Sequence, residues 1–304
     1  MNTEGIMKNI TKVLACGILA LGLAACGAKQ ESESETPAET AGCNPHSYQI
    51  VALEAAQLPL TLPDLEAAVI NGNYALESGL NEKYPAIAIE EFDAETSVKR
   101  TNYIAVKEGT ENSDKIKALI AAVTSDEVKN YIENTYKGAV IPSFIDEEGN
   151  ALASAEIKDA SGEDTMITVG ATAVPHAQIL NEVVKGILEK HGWQLDVVEY
   201  TDYVQPNTAL EAEDLDANYF QTLGYLYNEN EQRGLHLKAA AGVHIEPMGV
   251  YSQKVTSLSE LKDGRGIGVP NDTDNYGRAV ELLNTLGLLE NAPLDPESNR
   301  EING

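Results

Sequence analysis

Basic residues are scarce in this chain, with 21 Lys and Arg against 48 Asp and Glu and a formal charge of −27. Nucleic-acid binding needs a basic surface, so that class is excluded. The charge does not exclude a small zwitterion, because one local Arg outweighs distant acidic groups that salt screens. Cysteines number three, Cys16, Cys26 and Cys43, and five scattered histidines show no metal-ligand spacing. Neither a disulfide framework nor a zinc cage can be built from them. Catalytic signatures are missing too: there is no G-x-S-x-G elbow, no P-loop and no H-E-x-x-H. His244-Ile245-Glu246-Pro247 opens like a zinc-deaminase motif, but no Cys-x-x-Cys follows it. Gly264-Arg265-Gly266-Ile267-Gly268 lacks the dinucleotide-binding spacing and precedes a strand, so it reads as a turn. The expectation is a protein that is not an enzyme and uses neither cofactor nor metal.

The N-terminus carries Lys8 and Lys12 and then an apolar run from Val13 to Ala25. That run is shorter than the roughly 20 residues of a spanning helix and reads as a secretory signal, residues 1–25. Leu23-Ala24-Ala25-Cys26 looks like a lipobox, in which Cys26 becomes the acylated first residue. Cys16 lies inside the apolar run, where cleavage would leave almost no hydrophobic region. Residues 26–43, rich in Glu, Ser and Thr, cannot bury enough apolar surface to fold and read as a tether. Cys43 then remains as the lone thiol. These features imply attachment to the bilayer through Cys26, on the outer face of the cell membrane.

Beyond the tether, strands alternate with helices. Tyr48–Leu53, Ile104–Lys107, Ile167–Ala171, Leu195–Tyr200, Leu237–Ile245 and Gly266–Pro270 read as strands, and Leu65–Ile70 as a short βα passage. Ser113–Val123 and Ser125–Tyr136 read as helices opened by Ser caps. Gln178–Lys190 puts Ile179, Leu180, Val183, Val184, Ile187 and Leu188 on one helical face, and Asn275–Leu286 is a further helix. The acidic stretch Asp146–Asp164 reads as a solvated linker. Such alternation predicts an α/β fold of mainly parallel sheets flanked by helices.

Thr201–Gln221 places aromatic rings (Tyr203, Tyr219, Phe220) and amides beside the ends of short strands, a composition that suits a pocket with an apolar interior and a polar rim. Arg278 follows a strand and turn and lies early in a helix, where a planar fork can hold a carboxylate bidentately. Asn71 ends the apolar run Ala67–Ile70, where open α/β sheets present ligands, and an amide there can serve both an ammonium and a carboxylate. Strand alternation points Tyr219 and Phe220 to opposite faces, so both cannot line one pocket unless the chain turns. Alternation alone does not choose between them, and His244 is placed at the mouth.

The words Ile167–His176 (ITVGATAVPH), Gly242–Ser252 (GVHIEPMGVYS), Val269–Arg278 (VPNDTDNYGR), Ala68–Ala75 (AVINGNYA) and Lys137–Phe144 (KGAVIPSF) resemble the methionine-binding lipoproteins of bacterial ABC importers. Their order is exchanged, however: in that family the ITVGAT word opens the domain and the VIPSF word closes it. The resemblance therefore implies a circular permutant. It would have a two-lobed periplasmic-binding-protein fold of the type II kind, with residues 92–251 as one lobe. Residues 44–91 and 252–304 would form the other, and residues 145–165 would bridge the family's usual termini. It also implies that Arg278, Asn71, Asn102, Tyr203 and Phe220, with Tyr219 and His244, hold methionine, and it favours Phe220 over Tyr219. A membrane permease and its ATPase are the implied partners. The lead-in to Asn102 departs from the family's small apolar residues, and Thr222 stands where the family often has His after Phe-Gln, a change that would loosen selectivity. Alternatives are another amino acid or a methionine-containing dipeptide as ligand, or an anchored interaction protein with a vestigial cleft.

Overall fold

The computed structural model describes residues 42–304. The expected signal peptide, Cys26 and nearly all of the tether lie outside the described residues. Among the described residues there are eleven strands: β1 (Gln49–Leu53), β2 (Ala67–Ile70), β3 (Ala88–Ile89), β4 (Thr101–Lys107), β5 (Ile141–Pro142), β6 (Met166–Thr172), β7 (Gln194–Tyr200), β8 (Ala217–Thr222), β9 (Leu237–Ile245), β10 (Gly249–Tyr251) and β11 (Gly266–Pro270). They form a five-stranded sheet in the order β1-β11-β2-β10-β3 and a six-stranded sheet in the order β5-β9-β4-β8-β6-β7.

Both faces of each sheet are covered. In the larger sheet, Ile104, Val106, Ile167 and Val169 pack with Ile116, Leu119, Val128 and Ile132 of the helices Asp114–Val123 and Asp126–Tyr136, and with Leu180 and Leu188. Leu210, Leu215 and Leu226 close its other face. In the smaller sheet, Val69, Val250, Ile267 and Val269 meet Tyr276, Val280 and Leu283 of the helix Thr273–Thr285 on one side. Leu58, Leu62 and Tyr74 meet Ala68, Ile70 and Tyr251 on the other. Strands buried on both faces have no polar side to alternate with, which is why β2 reads as the continuous apolar run AAVI.

The expectation of parallel pairing holds for part of each sheet. β1, β11 and β2 run parallel, as do β7, β6 and β8. β10 and β4 run against them, and β9 and β5 continue the antiparallel order beyond β4. The reason is geometric. The parallel strands end at the cleft between the lobes, so a chain that crosses from one lobe to the other enters the next sheet at its cleft end and runs away from it. The pairing of Asn102, at the start of β4, with Thr222, at the end of β8, shows this directly, as does that of Gly249 with Ile70. The expected lobe of residues 92–251 is corrected at its end, since β10 belongs to the smaller sheet and the crossing falls between Ile245 and Gly249.

The helix expected over Gln178–Lys190 is irregular: extended Val174 kinks the chain just before it, and a π-helical turn at Leu180–Val184 precedes a regular turn at Lys185–Glu189. The stretch expected to be a solvated linker, residues 145–165, is instead fastened to its lobe. Gly242 N donates to Ile145 O at 2.8 Å, Trp193 Nε1 to Lys158 O at 2.8 Å and Gln194 N to Thr165 O at 2.9 Å. Backbone groups satisfied in this way hold the segment down, and some of its charged side chains pair across it, Asp164 with Lys115, Asp159 with His191 and Lys158 with Asp114. At the opposite pole of the fold, Asn44 Nδ2 donates to Ile302 O at 3.0 Å and Ile50 N to Asn303 Oδ1 at 2.7 Å. The first and last described segments therefore lie side by side on the smaller lobe.

Candidate functional site

Asn71 follows β2, Thr222 ends β8, Asn102 opens β4 and Glu246 follows β9, so the sheet topology alone brings their side chains to one cleft. The smaller lobe contributes Asn71, Gly72, Asn73, Asn275 and Arg278. Facing them are Tyr203, Phe220, Gln221, Thr222 and Tyr225, with Asn102 and Glu246 at the crossings. The lobes approach closely. Thr222 Oγ1 donates to Asp274 Oδ2 at 3.0 Å, Tyr203 OH to Asn73 Oδ1 at 2.6 Å and Tyr74 OH to Thr201 O at 3.3 Å. The space left between the side chains is about 20 Å³, room for one water and far below the several hundred Å³ of a small-molecule site. An amino acid enters this cleft only when the lobes or the lining side chains part.

Five of the seven residues expected from sequence, Arg278, Asn71, Asn102, Tyr203 and Phe220, line this one cavity. The other two lie outside its lining. Tyr219 is fully buried and its hydroxyl bonds His244 Nδ1, because alternation along β8 turns it away from Phe220. His244 is fully buried as well, behind the cleft rather than at its mouth. Its Nε2 lies 2.7 Å from Glu246 Oε1. The same oxygen is 3.2 Å from His176 Nε2, which also lies 3.1 Å from Asn102 Oδ1, while His176 Nδ1 is 2.8 Å from the Thr172 hydroxyl. Burial, reinforced by His244, pushes the His176 pKa well below its usual value and keeps the ring neutral. A neutral ring between two acceptors carries its proton on Nε2, so the Thr172 hydroxyl donates to Nδ1. His176, His244 and Glu246 bring donor atoms within 4.8 Å of one another and are the described residues that could hold a metal ion; in this arrangement each of these atoms already has a hydrogen-bond partner.

Arg278 departs from expectation in its partners. It is buried. Arg278 Nε donates to Glu90 Oε1 and Oε2 at 2.9 and 3.0 Å, and Nη2 to Glu90 Oε2 at 2.5 Å and Glu246 O at 2.9 Å. The fork expected to receive a ligand carboxylate thus already holds an internal one. Arg100 Nε adds a further bond to Glu90 Oε1 at 2.8 Å. Burial alone would raise the Glu90 pKa, but the Arg278 guanidinium and then Arg100 more than reverse it, and the carboxyl is held below the usual range. At the start of the helix Thr273–Thr285, burial pushes Asp272 up to about 6 against the backbone bond it accepts from Asn275.

The apolar wall is an aromatic group. Tyr203 stacks on Tyr74 with centroids 5.0 Å apart and lies 5.7 Å from both Phe220 and Tyr225. Rings so arranged give a polarizable surface that suits a thioether. Tyr225, Asn73, Asn275, Glu246 and Glu90 were missed from sequence. Asn73 was legible in the Asn71-Gly72-Asn73 turn, and Glu246 in the His-Ile-Glu-Pro word set aside as an incomplete metal motif. Gly72 fits because a Cβ there would lie 2.7 Å from Glu246 Cβ, so this crossing demands glycine.

Comparison with known proteins places these observations. The model of the NlpA lipoprotein family matches residues 27–144 and 167–297. Outer membrane lipoprotein 2 of Mannheimia haemolytica is 42% identical over 124 residues, 41% of this chain and 45% of that protein. The D-methionine-binding lipoprotein MetQ of Salmonella typhi is 37% identical over 140 residues, 46% of this chain and 52% of its own length. A nutrient-binding protein of Burkholderia cenocepacia, solved bound to methionine, is 45% identical over 40% of this chain and 50% of its own, with a TM-score of 0.38. The chain spans about half the length of the curated relatives it matches.

Proposed function

The chain belongs to the NlpA lipoprotein family, and we propose that it is the substrate-binding lipoprotein of an ABC importer, taking up methionine between its lobes. Permease and ATPase would be its partners, and acylated Cys26 its anchor on the outer face of the membrane. The observation that carries the reading is the convergence of Arg278, Asn71, Asn102, Tyr203 and Phe220, drawn from both lobes and both halves of the sequence, on one cavity. Capture would proceed by opening and closing about the two crossings. A circularly permuted order fits the proposal: the family model matches in two blocks separated by the fastened bridge, and the alignments to the two lipoproteins above each follow less than half of the chain. Calorimetric titration of the purified full chain with L- and D-methionine tests the function. Saturable binding of either supports it. Heat-silent titrations with both, and no rise in melting temperature at millimolar ligand, count against it. That result would favour the vestigial-cleft alternative, to which the narrowness of the cavity also points.

A further inference from the structure

The charges in the cavity wall are unevenly paired. Arg278 has spent Nε and Nη2 on Glu90 and on Glu246 O, so no two-nitrogen edge of its guanidinium is free, and Nη1 is what remains. Its positive charge already faces the carboxylate of Glu90. Glu246 stands in the opposite position. Its Oε1 is taken by the two imidazoles His176 and His244, the first of which burial keeps neutral. Its Oε2 accepts no hydrogen bond among the described residues and sits against Gly72, 3.2 Å from where a Cβ would be. Beside it, Asn71 gives its Nδ2 to Asn275 Oδ1 at 2.7 Å, which leaves Asn71 Oδ1 a buried acceptor without a donor. Both residues line the cavity and both are more than nine-tenths buried. Asp274, half-buried at the lobe contact, is a further acidic group near Arg278, whose partner Glu90 is shared with Arg100.

An unpaired buried acceptor such as Asn71 Oδ1 is costly until a donor arrives, and a carboxylate oxygen with no protein donor beside it favours a cationic one. Resting on the amino-acid reading above, we propose that the cavity recognises its ligand chiefly through a primary ammonium group, donated to Glu246 Oε2 and Asn71 Oδ1. Its ligands then form a class of small amines carrying a thioether-sized apolar chain, in which the free amine is required and the carboxylate is secondary. A ligand carboxylate finds Nη1 of Arg278 and the unpaired Nδ2 of Asn73, a weaker set because the guanidinium charge is already matched by Glu90.

Three probes that differ in one group each test this on the unmodified full chain: methionine, methioninamide and 2-hydroxy-4-(methylthio)butanoate. The amide should bind within roughly 10-fold of methionine, and the hydroxy acid should be weaker by roughly 100-fold or more, as expected for an unpaired buried charge. Glu246→Gln should shrink the gap between methionine and the hydroxy acid, since the anionic acceptor is gone while the shape stays. A hydroxy acid that binds as well as methionine, or an amide that binds worse than the hydroxy acid, overturns the inference. Binding of the amide without methionine would uphold it and sink the amino-acid reading, whereas silence from all three sinks both.

Discussion

Truncating Arg278 to alanine should destabilise the protein even without ligand, and the size can be worked from its contacts. The side chain is buried and makes bonds to both oxygens of Glu90 and one to Glu246 O. Removing one member of a buried ion pair strands the other charge, at a cost of about 3–5 kcal/mol. Glu90 would keep Arg100 Nε at 2.8 Å and Met248 N at 3.1 Å, which puts the expected loss at the lower end, about 3 kcal/mol. For a body of this size that corresponds to a fall in Tm of roughly 6–12 °C. Thermal unfolding followed by circular dichroism, without ligand, is the assay. The double variant Arg278→Met with Glu90→Gln should lose less than the sum of its parts, because it removes both charges together. A single Arg278→Ala variant melting within about 2 °C of the unmodified chain would refute the pairing and return Arg278 to the role of a free carboxylate clamp.

Three further outcomes follow from the same geometry. Gly224→Ala should block full closure, because a Cβ there would sit 2.0 Å from Asp274 Oδ1 of the other lobe; small-angle scattering at saturating ligand would show the more open form, and an unchanged radius of gyration would contradict it. Stability should respond to pH through Asp272, whose folded pKa of about 6 exceeds its unfolded value, so the folded state binds the extra proton between about pH 4 and 6. This group favours folding on the acid side of that window and loses the contribution as pH rises through about 6, by roughly 1–2 kcal/mol after allowance for its partial exposure. Asp272→Asn should flatten the urea-midpoint profile there, and an unaltered profile would exclude the assignment. Fatty-acid labelling should be lost in Cys26→Ser and kept in Cys16→Ser; label surviving in the first variant would remove Cys26 as the anchor.

Local signals made much of the fold legible. β9 and β11 span the residues expected from pattern, and Ser113 and Ser125 cap their helices by accepting from Ile116 N and Val128 N. What sequence could not supply was partnership across the chain. Glu90, an acidic residue in a polar stretch, gave no sign that it would meet Arg278, 188 positions away. The direction of β4 and β10 depends on which lobe the chain arrives from, which local periodicity does not record. The bridge over residues 145–165 has linker composition and yet is held down by backbone bonds, which composition does not encode. Within the site, strand alternation separated Phe220 from Tyr219 correctly, whereas His244 was misplaced because its partner Tyr219 lies 25 residues away.

The proposed permutation leads to a last test, and the structure says why it should succeed. The joined ends lie remote from the cleft, while the bridge leaves at the cleft end of β4, where Ser143 bonds Thr101 at 2.7 Å, and runs away from it. The segment before β1 meets the C-terminal residues through Asn44 and Ile302, beside the start of β1, whereas the cleft lies beyond its end. The bridge rejoins the larger lobe where Gln194 N donates to Thr165 O, at the start of β7 and just before β6, again opposite the cleft. A gene rewritten to run from residue 166 to residue 304, on through residues 44–144, and to end there should therefore keep every strand pairing and the whole cavity. Closing Gly304 onto Asn44 and opening the bridge exchanges one loop for another, and loop closure costs only about 0.6 kcal/mol for each doubling of length. Loss of the bonds that fasten the bridge adds roughly 1 kcal/mol for each backbone bond not replaced by solvent. The rewritten chain should bind the same ligands with affinities within roughly 3-fold, since a loop change of this size outside the cavity lining leaves its contacts intact. It should also melt a few degrees lower. A rewritten chain that folds but loses ligand binding would show that the order of the segments shapes the cleft itself, contrary to the reasoning from strand ends.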